Sequence, residues 1–80
     1  MNDSKYLDME RLTNDIKATG VSQDVIADYL GYKQPYISRF LNMQRNLSLF
    51  TVVRLCRFVG LDYTNYLTVD GKKLLTGTKL

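Results

Sequence analysis

"SQDVIADYLGYKQPYISRFLN", residues 22–42, has two short apolar-patterned halves joined through Leu30-Gly31-Tyr32-Lys33. Ser22 suits a helix N-cap, because its hydroxyl can accept an otherwise unpaired backbone N–H. Ile26, Ala27 and Leu30 then recur at helical spacing, and Gly31 ends the run. A second helix starts near Gln34. Pro35 fits its first turn, where the missing N–H costs nothing. Ile37 and Leu41 point inward. Lys33, Gln34, Tyr36 and Arg39 are left close together on a side that the first helix of the pair cannot cover.

Helical spacing continues on both sides of this pair. Upstream, Met9, Leu12 and Ile16 form the inward stripe of a helix expected from about Ser4 to Ala18, stopped near Gly20. Downstream, Ser48 can cap a fourth helix whose inner face is Leu49, Val52, Leu55, Cys56 and Val59, with Gly60 as terminator. Asp62 can cap a short fifth helix through about Leu67, with Tyr66 completing the core. The tail changes pattern. "YLTVDGKKLLT" alternates loosely around Asp70-Gly71, a dipeptide that favours tight hairpin turns, and predicts a strand or a two-stranded hairpin.

The chain has 80 residues, enough for one domain near the lower limit of a self-sufficient apolar core. Its single cysteine, Cys56, cannot form an internal disulfide and favours a reducing, cytoplasmic setting. It reads as a small buried apolar thiol. With no histidine and no second cysteine, a zinc site has no ligand set and no cofactor is expected. No apolar run is long enough to span a bilayer. The opening Met-Asn-Asp-Ser-Lys-Tyr lacks the layout of a signal peptide.

Net charge is only +3, but it is unevenly spread. Between Lys33 and Val59 there are five basic residues (Lys33, Arg39, Arg45, Arg54, Arg57) and no acidic one. Such a stretch is either a solvated face or an anion-binding surface.

Residues 20–67 resemble the lambda-repressor-like helix-turn-helix family, also called the Xre or Cro/repressor family. "GVSQDVIADYLG" is similar to the family's second helix, with its leading Ser-Gln, a mid-helix Ala and a Gly at the turn. "QPYISRFLN" is similar to the recognition helix, with a buried Ile37 and a closing Asn42. "LSLFTVVRLCRFVGLDYTNYL" is similar to the fourth helix, the Gly-apolar turn and the short fifth helix. The chain departs from the pattern at Cys56 (usually Ala), Met43 (usually Gly) and Phe50 and Phe58 (commonly polar). The expected fold is therefore all-α: a compact five-helix domain over residues 1–67, its helix-turn-helix at about 22–42, with the tail 68–80 as strand or hairpin.

The resemblance implies a sequence-specific regulator that inserts its third helix into the major groove of duplex DNA. Gln34 is expected to contact a base, since an amide can pair with adenine N6 and N7. Arg39 suits guanine O6 and N7. Lys33 could meet phosphate or a base edge. Tyr36 could pack on a thymine methyl, donate to phosphate, or shield the helix junction. The family uses the residue at Gln23 to touch phosphate and to brace the first Gln of the third helix. Asn42, Gln44, Arg45 and Asn46 fall in the loop that lies beside the sugar-phosphate backbone, where contacts set register and affinity. Phe50, Arg54 and Phe58, at i, i+4 and i+8 on a nominally exposed face, require a cover, either a partner subunit or the tail. A homodimer on a pseudo-palindromic operator is expected, in a Cro-like phage, mobile-element or plasmid repressor or a restriction-modification controller. A second class, an antitoxin that sequesters a toxin, stays open on the strand-like tail. An enzyme is not expected: no Cys–His or Ser–His pair, phosphate loop or metal-ligand spacing occurs.

Overall fold

The computed structural model of the chain describes residues 5–76, with side chains for residues 5–74. Five α-helices carry the fold: α1 (Met9–Ala18), α2 (Gln23–Leu30), α3 (Gln34–Leu41), α4 (Leu49–Val59) and α5 (Val69–Thr76). A 3₁₀ helix, Tyr63–Tyr66, lies between α4 and α5.

Local chemistry sets most of these boundaries. The side chains of Asp8, Ser22 and Ser48 each accept from a backbone N–H in the first turn of α1, α2 and α4. Gly31 and Gly60 close α2 and α4 in the left-handed conformation, at φ 79° and 84°. Asp62 caps the 3₁₀ helix by accepting from the Thr64 N–H at 3.0 Å and from the Thr64 hydroxyl at 2.6 Å.

The helices enclose one core. Leu12 and Ile16 of α1, Ile26 of α2, Ile37 and Phe40 of α3, and Val52 and Leu55 of α4 are all buried. Burying each such side chain is worth about 1.5–3 kcal/mol, which is why a chain this small folds without a disulfide. Phe40, at i+3 from Ile37, also joins this core, although only Ile37 and Leu41 are expected to point inward from α3. Cys56 is also fully buried. Desolvation, with a smaller push from the Asp62 carboxylate, raises its thiol to about 11 and keeps it protonated at neutral pH.

Three expectations are corrected. α1 begins at Met9 rather than near Ser4, which lies outside the described residues. Asp8 caps the helix there because the preceding segment pairs elsewhere: Leu7 forms an antiparallel bridge with Leu67, and the Asp8 N–H donates to the Tyr66 carbonyl at 2.7 Å. The fifth expected helix is a single 3₁₀ turn that stops at Tyr66.

The third correction concerns the tail: residues 69–76 are helical instead of strand or hairpin, and 77–80 lie outside the described residues. Thr68 starts this helix, its hydroxyl accepting from the Gly71 N–H at 3.0 Å and donating to the Lys5 carbonyl at 2.6 Å. Gly71 is not a turn residue here. Its α-carbon meets the Tyr6 carbonyl so closely that a β-carbon would collide with it.

Candidate nucleic-acid interface

The residues that the sequence singles out are spread along α3: Lys33, Gln34 and Tyr36 at its start, Arg39 in its last turn, and Asn42, Gln44, Arg45 and Asn46 beyond it. Lys33 precedes the helix in extended conformation and supplies no side-chain cap. The first turn of α3 offers few backbone donors, because Pro35 has no N–H and the Tyr36 N–H donates to the Lys33 carbonyl at 3.0 Å. Lys33 and Arg39 are exposed, and neither side chain bonds to any other described residue. Gln34 is half-buried because it leans on α2: its Nε2 donates to Gln23 Oε1. An amide has two N–H donors and a carbonyl acceptor. This bond uses one donor of Gln34. The second N–H and the carbonyl remain, which is the pair that adenine N7 and N6 require. Gln23 in turn keeps its own NH₂ at the start of α2, where helix N–H groups favour an anion.

Tyr36 is less free than its neighbours. Its ring stacks on Tyr32 with centroids 4.9 Å apart and planes 12° from parallel. The Arg45 guanidinium lies 4.4 Å from the same ring centroid. The Tyr36 hydroxyl donates to the Asn46 carbonyl at 3.5 Å. Tyr36 thus joins the turn before α3 to the loop after it, which favours the junction-shielding alternative. Tyr32 carries no functional signal in the sequence beyond its spacing of four from Tyr36.

The loop after α3 is closed by its own backbone. The Gln44 N–H donates to the Arg39 carbonyl at 2.8 Å, and the Met43 N–H to the Phe40 carbonyl at 3.0 Å. Met43 takes φ 61°, the left-handed conformation that explains why glycine is usual here. The Asn42 side chain accepts from Lys17 Nζ at 3.5 Å, tying the loop to α1. Asn42, Gln44, Arg45 and Asn46 are all exposed.

Phe50, Arg54 and Phe58 do not form one uncovered stripe. Phe58 stacks on Tyr29 of α2, with centroids 4.1 Å apart and planes 12° from parallel, and Arg54 sits 5.5 Å from the Tyr29 ring centroid. With Arg57 these residues line a groove of about 470 Å³. Phe50, 72% exposed, has no such cover.

A family model described as helix-turn-helix matches residues 16–64. The chain belongs to the Xre or lambda-repressor-like helix-turn-helix family. The match runs from the end of α1 into the start of the 3₁₀ helix and so includes every residue of the α2–α3 surface. It makes the chain a DNA-binding transcription regulator of the Xre type. Comparisons with curated proteins and with solved structures gave no match. Among the described residues, no helix is long and apolar enough to cross a membrane.

Proposed function

We propose that this helix-turn-helix regulator is a sequence-specific, Cro-like repressor of a phage, mobile element or plasmid. It acts in the cytoplasm as a dimer on a pseudo-palindromic operator. The observation that carries this reading is the Gln23–Gln34 hydrogen bond at the start of the helix that also carries exposed Arg39, with exposed Lys33 just before it. It holds one amide at the start of α3 with a bidentate pair still free, on a helix whose last turn carries an arginine suited to guanine. α3 lies in the major groove, with Gln34 and Arg39 on base edges. Lys33, Gln23, Asn42, Gln44, Arg45 and Asn46 meet phosphates and set register. Dimerisation places two such helices about one DNA turn apart. Exposed Phe50 is the ring on α4 available to a second subunit.

The antitoxin alternative drew its support from a strand-forming tail. Residues 69–76 are helical, so that support is gone.

Selection of bound sites from random duplex DNA tests the proposal. A symmetric consensus with A and G at the positions facing Gln34 and Arg39 is expected. Affinity should also fall steeply with salt, as neutralised phosphates release counterions. Equal affinity for all duplexes at one moderate salt concentration would refute it.

A further inference from the structure

The contacts around Tyr36 point beyond the residues that meet DNA. Tyr32 belongs to the turn between α2 and α3, Tyr36 to the first turns of α3, and Arg45 to the loop that follows it. Two tyrosine rings and one guanidinium are therefore gathered from both ends of the recognition helix. A guanidinium within about 6 Å of a ring centroid is held by the ring's negative face. Arg45 is exposed, so this contact limits its rotamers without removing it from a ligand's reach.

We propose that Tyr32 is a positioning residue for DNA binding: it braces Tyr36 as a platform that places the Arg45 guanidinium for phosphate before DNA arrives. The proposal rests on the reading of Arg45 as a phosphate contact. Tyr36 then acts through its ring face and not as a base reader. The advantage is entropic, because a long side chain already confined loses less freedom on binding. Releasing it costs about two- to ten-fold in affinity. That cost falls on all duplexes alike, because a phosphate contact carries no base information.

The test uses the full chain in two arms. The first needs no DNA. In the proton NMR spectrum of the wild type, the Arg45 side-chain signals should be shifted upfield by the Tyr36 ring. They should move towards free-arginine positions in Tyr32→Leu and stay in Tyr32→Phe, which keeps the stack. Arg45 signals at free-arginine positions in the wild type overturn the proposal, whether or not any variant folds. The second arm is a double-mutant cycle on duplex binding. Tyr32→Leu should weaken consensus and non-consensus duplexes by the same two- to ten-fold, keep the wild-type salt slope, and have no further effect in an Arg45→Ala background. Arg45→Ala alone should lower the salt slope by about one. An undiminished effect of Tyr32→Leu without Arg45 shows a merely structural tyrosine and overturns the proposal. Failure of the wild type to bind any duplex refutes the phosphate reading itself, and the first arm still decides whether the stack holds Arg45.

Discussion

Gly71 of α5 packs against the backbone carbonyl of Tyr6, with no space for a β-carbon between them. The contact seats the last described helix on the segment that precedes the first. Around it, the Thr68 N–H donates to the Tyr6 carbonyl at 3.0 Å, and Arg11 donates to the Asn65 carbonyl at 3.0 Å. Gly71→Ala should therefore destabilise the protein, although alanine is the better helix former by about 1 kcal/mol. Forcing the extra carbon into a filled site costs about 1–3 kcal/mol. Urea unfolding would show a lower midpoint, and the amides of Thr68 and Gly71 would exchange faster. A raised midpoint would mean that α5 is seated elsewhere.

The amide pair of the interface makes a second prediction. Gln23→Ala and Gln34→Ala should not add in their effects on operator affinity, because each removes the same hydrogen bond. A coupling of about 0.5–3 kcal/mol is expected from a double-mutant cycle. Gln34→Ala and Arg39→Ala should each relax base preference, at about 1–3 kcal/mol per lost bidentate contact. An unchanged consensus after Arg39→Ala would require a different docking of α3.

Met43 offers a stability gain. A left-handed conformation costs an ordinary residue about 1–2 kcal/mol. Glycine avoids that cost but adds freedom to the unfolded chain, about 0.5–1 kcal/mol. Met43→Gly should thus leave stability unchanged or raise it by about 1 kcal/mol. A clear fall in the thermal midpoint would show that the Met43 side chain, 53% exposed, makes a contact worth more than its strain.

Self-association should depend on Phe50 more than on Phe58. Phe58 is already stacked on Tyr29, whereas Phe50 is 72% exposed. Two-fold pairing of this face also brings Arg54 and Arg57 towards their counterparts, so any dimer formed through it should strengthen with salt in the absence of DNA. Sedimentation of Phe50→Ser, compared with wild type and with a chain truncated after Leu67, separates the surfaces. Loss of the dimer only on truncation would transfer the interface to α5.

Tyr66 sets a limit on stability at high pH. Its hydroxyl donates to Asp15 Oδ2 at 2.6 Å. That bond, then burial and the charge of Asp15, push the phenol up to about 12 despite the opposing charge of Arg11. A folded-state value raised above the unfolded one of about 10 stabilises the protein fully below pH 10, and the contribution is lost as pH rises towards 12. Tyr66→Phe should cost about 1 kcal/mol near pH 7. It should also flatten the decline in stability between pH 10 and 12. Parallel declines in the two proteins would show that Tyr66 is not the group responsible.

The α2–α3 unit and its caps were legible in the sequence because their causes are local. A serine hydroxyl reaches an N–H three residues on, and a glycine closes its own helix, whatever the rest of the chain does. Apolar periodicity likewise placed Ile37, Val52 and Leu55 inward from spacing alone. The Gln23–Gln34 bond was an expectation only through the family resemblance, since neither residue's type names its partner. Other features depended on groups far apart in sequence. Asp70-Gly71 has the chemistry of a hairpin turn, yet α5 forms because Thr68 caps it and Gly71 admits the Tyr6 backbone. Tyr36 offers its ring to DNA or to the helix junction, and only the tertiary structure puts Tyr32 and Arg45 on that ring. Phe58 looked uncovered until Tyr29 met it from α2. Spacing says which way a side chain points along its own helix. What it meets there depends on how the helices cross, and that is decided by packing the whole core at once.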